Sequence, residues 1–221
     1  MNSRTPVRRH QGAASTAEYP RIPDFVEATR ASYGAIAPAY ADRFSDRPAD
    51  SHPLDRSLRR SGSVTSHLDT LGVPVFGVGL SPRMVAPARR GHPELRFHVG
   101  SMTSPDLPEG TLGGIVALYS VIRVPDDHLP STFAEFPRVL MPGAPVLPAF
   151  RSGAAEDRLR LTERFGQEIA LDCCWRPADT VIAHLTEAGL RLSARIVREP
   201  EGGEERPRAV LLAGKPPAGP R

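Results

Sequence analysis

Few side chains in this sequence have the types and spacing that catalysis or metal binding needs. The histidines show no ligand spacing: His92 and His98 fall on different predicted elements, and four others are predicted surface positions, namely His52, His67, His128 and His184. Cys173 and Cys174 are adjacent, which is not the C-x-x-C spacing of a metal or redox site. We predict two reduced thiols in or beside a strand, as is typical of a cytoplasmic protein. No metal site is expected, and the pattern alone indicates no catalytic residue.

Two common enzyme classes receive little support. Gly77-Val-Gly79 lacks the rest of the G-x-G-x-x-G pattern of dinucleotide oxidoreductases, and it falls inside a predicted strand and not at a first turn. The G-x-S-x-G elbow of many hydrolases does not occur in the sequence.

Charge and hydropathy argue against nucleic acid and membrane partners. The net charge is +3 and the arginines are spread along the chain near carboxylates, whereas a nucleic-acid binder gathers them on one face. The longest uncharged runs, 110–122 and 139–150, are too short to span a bilayer. No apolar signal segment follows the basic start of the chain.

Helical and extended patterns alternate through the middle of the chain. Helices are predicted over 24–44, with Pro38 dividing it into two, and then over 54–60, 63–71, 82–91, 129–140 and 177–188. Ser81 and Pro82 read as the cap and first residue of the fourth of these. Strands are predicted over 73–78, 95–99, 112–122, 144–150, 168–175, 190–198 and 208–213.

This order predicts one α/β domain. We expect a Rossmann-like, open and mostly parallel sheet with helices on both faces and a C-terminal antiparallel hairpin. The 112–122 strand is the most apolar and is expected at the centre of the sheet. Residues 1–20 read as a disordered leader, 21–215 as the folded domain and 216–221 as a flexible tail.

Five stretches, in this order and spacing, resemble class I S-adenosylmethionine-dependent methyltransferases of the small bacterial type. They are YGAIAPAYADRF at 33–44, VFGVGLSPRM at 75–84, FHVGSM at 97–102, VALYSVI at 116–122 and FAEFPRVLMPG at 133–143. The last is the most specific, and the resemblance covers about 30–215. It implies S-adenosylmethionine as cofactor at the carboxyl ends of the first strands, and a small molecule as methyl acceptor.

The resemblance also assigns cofactor-binding positions, residue by residue. Leu80, Ser81 and Met84 would face the ribose and adenine, and Gly100, Ser101 and Met102 the adenine edge. Leu118, Tyr119 and Ser120 would lie under the methionine moiety, with Tyr33 and Tyr40 closing the site from a lid helix. The alternative for Met84, Leu118, Tyr33 and Tyr40 is ordinary core or helix packing. Arg123 stands where relatives often carry His, but a guanidinium cannot take a proton as a base.

The sequence departs from the family pattern at three kinds of position. The first strand and its Gly-rich loop are missing before the 63–71 helix, with Gly62 the last glycine of that loop. Gly79 replaces the acidic residue that binds the ribose hydroxyls, which costs about 2–4 kcal/mol of affinity. Pro87, Pro137 and Pro148 fall inside predicted helices and a predicted strand.

The sequence alone therefore leaves two functions open. The first is an S-adenosylmethionine-dependent methyltransferase for a small molecule, impaired by these losses. The second is a non-catalytic relative, either a binding protein on the same fold or a decayed gene product. The sequence does not indicate the acceptor atom or the oligomeric state.

Overall fold

The computed structural model describes residues 22–45 and 62–219. Its α-helices are α1 (Ile22–Ser45), α2 (Ser63–Thr70), α3 (Pro82–Gly91), α4 (Leu129–Val139) and α5 (Ala178–Glu187). Its strands are β1 (Phe76–Gly79), β2 (Arg96–Val99), β3 (Ile115–Leu118), β4 (Pro145–Arg151), β5 (Asp157–Arg164), β6 (Gln167–Trp175), β7 (Arg191–Arg198) and β8 (Arg208–Gly214). The predicted leader at 1–20, the loop after Pro48 and the helix at 54–60 lie outside the described residues.

The strands form three sheets. β1 pairs with β2 in parallel, and a four-stranded sheet has the order β3-β4-β8-β7. In that sheet β3 and β4 are parallel, while β8 is antiparallel to both β4 and β7. β5 and β6 form a separate antiparallel hairpin. The mixed α/β architecture and the C-terminal hairpin β7–β8 confirm the predicted fold class. The expected single, mostly parallel sheet is not seen among the described strands, where two pairings are parallel and three are antiparallel.

The most apolar predicted strand is shorter and less central than expected. Only Ile115–Leu118 is extended, and β3 lies at the edge of its sheet among the described strands. No described strand joins β1 to β3. A central strand needs a neighbour on each of its edges. Among the described strands only β4 pairs with β3, so the prediction of a central strand was wrong.

Pro38 does not divide the first helix. α1 runs unbroken from Ile22 to Ser45, and Pro38 is exposed on its surface. Ile36 and Ala37, which come just before the proline, are 1% and 3% exposed, so core packing holds the turn that precedes it. Tertiary packing here outweighs the local cost of the missing N–H group.

Pro148 lies inside an interior strand, where the sequence argued against pairing. The Ala149 carbonyl accepts from the Tyr119 N–H, and the Ala144 carbonyl accepts from the Lys215 N–H beyond β8. Because successive residues of a strand bond to opposite neighbours, Pro148 faces β8. The pairing of β4 with β8 skips Leu147 and Pro148, so the ladder opens where the proline has no hydrogen to donate.

The sequence prediction missed β5, which alternates charged residues with Leu159 and Leu161. The turn that joins it to β6 has Phe165 at φ 55° and Gly166 at φ 72°, the two left-handed residues of a type I′ hairpin turn. Period-two alternation was the available signal for this strand.

Two hydrophobic cores of unequal size result. The larger core fills the space between the four-stranded sheet and its helices, with Leu129, Phe133, Leu140 and Val146 at 0% exposure. The smaller core contains Val85, Ala88 and Phe97 under β1, β2 and α3. Helix α1 packs against both α3 and β6 and so connects the two parts.

Candidate functional site

The carboxyl ends of β1 and β2 lie together. The Gly100 N–H donates to the Gly79 carbonyl at 3.1 Å, which continues the parallel pairing into the loops. Beyond it, the Ser101 hydroxyl bonds the Thr103 hydroxyl at 2.7 Å. Met102 packs against the larger core, so this loop reaches from one sheet toward the other.

The glycines at this end of the sheet are required by packing. A β-carbon at Gly79 would lie 2.9 Å from Val85 Cγ2, and one at Gly77 would lie 2.5 Å from the Phe97 ring. Gly62 has φ 86° at the start of α2, and a β-carbon there would lie 2.8 Å from Phe97. The space beside these glycines is therefore filled by this protein's own side chains.

Ser81 begins α3 as predicted, but its side chain is not used as a cap. The residue is 2% exposed, and its hydroxyl has no hydrogen-bond partner. The hydroxyl oxygen lies 3.7 Å from the β-carbon position of Gly34, which places it against α1. Leu80 precedes it in the turn, and Met84 follows one helical turn later with partial burial.

Tyr119 has strained backbone geometry directly after β3. Its φ of 51° is rare for a residue with a side chain, and such residues cluster at functional sites. Its N–H donates to the Ala149 carbonyl at 2.7 Å, and the Arg208 guanidinium lies 6.0 Å from its ring centre. Leu118 and Ser120 flank it and are half-buried.

Arg123 forms a cluster that the sequence did not predict. Its Nε donates to the Tyr33 hydroxyl at 3.1 Å, and its Nη1 donates to the Asp172 carbonyl at 3.0 Å and to Cys173 Sγ at 2.7 Å. Burial acts to lower the pKa of the guanidinium, but Tyr33 and Cys173 outweigh it and raise that pKa above its ordinary value. Arg123 therefore stays charged, and the argument against it as a base holds.

Both cysteines of β6 are free and buried, as predicted. Burial raises the pKa of the Cys174 thiol to about 11. At neutral pH this thiol is protonated and is a weak nucleophile. The Cys174 side chain packs as a buried apolar group.

Helix α1 brings the ends of β1 and β3 to one place. Neighbouring residues of this helix contact both: Gly34 lies against Ser81, and the Tyr33 hydroxyl binds Arg123, four residues after Tyr119. Tyr40, the other predicted lid tyrosine, is half-buried two turns further along. The cofactor contacts assigned to all these residues stay predictions.

A second cluster missed by the sequence lies at the end of β6. Arg176 is 3% exposed and binds the Val124 carbonyl and the Asp126 carboxylate. The indole N–H of Trp175 has no partner, and Arg206 covers its ring at 3.7 Å. Nothing in the spacing of these residues marks them, because they meet only through the pairing of distant strands.

Metal ligands and membrane spans were searched over 22–45 and 62–219. Those residues contain no group of three or more His, Cys, Asp or Glu side chains placed to hold a metal ion. No helix among them is both long enough and apolar enough to cross a bilayer.

Comparisons with known proteins agree with this geometry. Residues 60–143 match the family model described as "Methyltransferase domain". No curated protein sequence matches the chain.

Solved structures share the fold at low sequence identity. An S-adenosylmethionine-dependent methyltransferase from Methanosarcina mazei is 17% identical, with a TM-score of 0.64 over 77% of this chain and 100% of that one. The [4+2]-cyclase SpnF is 13% identical, with a TM-score of 0.61 over 87% of this chain and 97% of that one. The glycopeptide N-methyltransferase MtfA, solved with S-adenosylmethionine, is 16% identical, with a TM-score of 0.55 over 71% of this chain and 78% of that one. Part of this chain therefore matches a methyltransferase-domain model, and the chain shares the fold of S-adenosylmethionine-dependent methyltransferases.

Proposed function

We propose that the protein binds S-adenosylmethionine at the carboxyl ends of β1, β2 and β3 and transfers its methyl group to a small molecule. The observation that supports this is the position of α1, whose adjacent residues Tyr33 and Gly34 contact the segments that follow β3 and β1. Ligands of open α/β sheets bind at such strand ends.

The described residues fit the adenosine side of this cofactor. Met84, Ser101 and Met102 are half-buried at the ends of β1 and β2 and would hold the adenine and ribose. Because the Ser81 hydroxyl lies against α1, we assign Ser81 a backbone contact. Tyr119 and Ser120 would face the methyl group. When bound, S-adenosylmethionine supplies a methyl group already activated by the sulfonium charge.

The protein's own contribution is then to position and to exclude water. Tyr33 is held by Arg123, so its ring is fixed beside the segment that follows β3. Orienting a nucleophile in line with an activated methyl group supplies much of the rate enhancement in such reactions. Neither Tyr33 nor Arg123 carries a carboxylate or an imidazole that could act as a base, so acceptors that react without losing a proton first are favoured.

A small-molecule acceptor agrees with the distribution of charge. Many arginines of the described chain pair with carboxylates, including Arg138 with Glu135, Arg158 with Asp172 and Arg198 with Glu204. Paired arginines do not offer the basic stripe that a nucleic acid requires. The two free thiols support a cytoplasmic location.

A specific observation favours the second function, a non-catalytic member of the family. β1 and β3 are not joined by a described strand, and Gly79 leaves no carboxylate for the ribose hydroxyls. The fold is also shared by the [4+2]-cyclase SpnF, so the fold alone does not imply methyl transfer.

Isothermal titration with S-adenosylmethionine and S-adenosylhomocysteine separates the two functions. A thermal melt comes first, because only a chain that unfolds cooperatively gives an interpretable titration. Micromolar binding supports the methyltransferase, and no heat up to millimolar ligand supports the non-catalytic protein.

Restoring the ribose carboxylate is a second test. Gly79→Asp alone would press its β-carbon against Val85, so we pair it with Val85→Ala, which removes the contacting methyl group. The double variant should bind S-adenosylmethionine about tenfold or more tighter than Val85→Ala alone, because a charged hydrogen bond is regained. Equal affinities of these two variants would place the ribose elsewhere.

A further inference from the structure

A groove runs between α1 and the start of α3. It has a volume of about 410 Å³ and is lined by Glu27, Arg30 and Gly34 of α1 and by Ser81, Pro82 and Arg83 of the α3 end. The β-carbon position of Gly34 lies 3.7 Å from both Ser81 Oγ and Arg83 Cδ, so α1 and the start of α3 lie close together here. We call it the α1–α3 groove.

Two polar groups at the groove are buried without a partner. Ser81 is 2% exposed, and its hydroxyl has no hydrogen-bond partner within 22–45 and 62–219. The Nε of Arg30 is also buried and unpaired. Buried polar groups are normally hydrogen-bonded, and an unpaired one costs about 1–3 kcal/mol, so such groups mark positions where a ligand supplies the missing bond.

The electrostatics of the groove favour an anion. α3 is ten residues long and begins here, with the positive end of its dipole at Ser81. Arg83 adds a guanidinium that has no ion pair among the residues that the structure describes. Arg30 adds a second guanidinium, which is paired with Glu27. Among the described residues, Glu27 is the only acidic side chain that lines the groove; it contacts Arg30 at 3.4 Å and is 69% exposed.

We propose that the α1–α3 groove binds the phosphate group of a small phosphorylated ligand. A tetrahedral phosphate accepts bonds from several directions, which suits one hydroxyl, two guanidinium groups and a helix N-terminus that converge from two elements. A planar carboxylate would satisfy fewer of these donors. The site does not rest on the proposed function, since no S-adenosylmethionine contact enters the argument.

Titration with inorganic phosphate at constant ionic strength tests the site. The wild type should bind phosphate, and Arg83→Gln should bind about tenfold or more weakly, since one charged hydrogen bond is lost. Ser81→Ala should also weaken binding. Glu27→Gln should tighten it, because the competing carboxylate is removed from Arg30. Acetate should bind more weakly than phosphate.

Arg90→Gln is the matched control, because Arg90 is exposed in the last turn of the same helix and the substitution removes the same charge. Its phosphate affinity should equal that of the wild type. Arg83 is exposed, so its variant should fold even if Ser81→Ala does not. Absence of phosphate binding by the wild type, or equal losses in Arg83→Gln and Arg90→Gln, would overturn the site, and acetate binding as tight as phosphate would overturn the phosphate assignment. Failure to bind S-adenosylmethionine would leave the phosphate results unchanged and would count only against the proposed function.

Discussion

At the scale of single residues, Arg123 is a half-buried charged side chain whose contacts are structural and not those of a catalytic base. Its three hydrogen bonds are made to Tyr33, the Asp172 carbonyl and Cys173. These partners lie on α1 and β6, so the guanidinium joins α1 to the β5–β6 hairpin. Its role is to position Tyr33.

Arg123→Gln should lower the free energy of unfolding by about 2–4 kcal/mol, because a glutamine cannot reach all three acceptors and leaves buried groups unpaired. Urea denaturation followed by circular dichroism measures the change. Arg191→Gln removes an exposed arginine and should shift stability by less than about 0.5 kcal/mol. Similar losses in the two variants would contradict the role given to Arg123.

The buried Cys174 thiol gives a prediction that depends on pH. Burial holds its pKa at about 11, so at pH 8 the native thiol is protonated and reacts slowly with a disulfide reagent such as dithiobis-nitrobenzoate. Unfolding in urea should release it for rapid reaction. Its protonated form favours the folded state below the ordinary thiol pKa, and that contribution is lost as the pH rises toward about 11. Rapid native labelling of Cys174 at pH 8, located by mass spectrometry, would contradict this burial.

At the scale of elements, Pro148 limits the pairing at the centre of the four-stranded sheet. It takes a position of β4 that faces β8, and the pairing is interrupted there. The opposite residue in register, Leu211, is fully buried. The proline is buried as well, so a residue of similar volume can replace it.

Pro148→Val should stabilise the protein by about 1 kcal/mol, because the new N–H can donate to β8 and valine suits a buried strand. Differential scanning calorimetry should show a higher Tm. Pro145→Val is the control, since Pro145 lies at the exposed start of the same strand. A Tm increase no greater than that of Pro145→Val would indicate that β8 lacks a free acceptor opposite Pro148.

Most elements could be predicted from the sequence because their patterns are local. The hairpin β7–β8 follows from alternation and a glycine turn, and α3 follows from Ser81 and Pro82 at its start. The continuity of α1 through Pro38 could not be predicted, because it depends on distant residues that bury Ile36 and Ala37. The edge position of β3 likewise depends on which strand pairs beside it.

The candidate site was predictable only in part. The motifs around Ser81, Ser101 and Tyr119 mark the ends of β1, β2 and β3, which the structure confirms as strand ends. Their spacing did not indicate that Gly79 and Gly62 pack against Val85 and Phe97. It also did not indicate that Ser81 turns toward α1, because a side chain's direction depends on the helix packed over it.

At the scale of the whole molecule, the two cores should differ in stability. The small core under β1 and β2 has Val85, Ala88 and Phe97 as its buried residues, whereas the larger core holds several phenylalanines and leucines. Local stability follows the apolar area that a region buries.

Hydrogen exchange measured by mass spectrometry should therefore show at least about tenfold lower protection in β1 and β2 than in β4 and β8. The reason is that the small unit can open while the larger core stays folded. The protection of each peptide is corrected for the intrinsic exchange rate of its sequence. Equal protection in the two sheets would mean that the molecule unfolds as one cooperative unit.

The position of β3 at the border of its sheet has a consequence for handling the protein. One side of Ile115–Leu118 bonds β4, and no described strand satisfies the amide and carbonyl groups of the other side. Val116 is 43% exposed on the same strand. Borders of this kind recruit strands from neighbouring molecules, so we expect concentrated solutions to associate through β3.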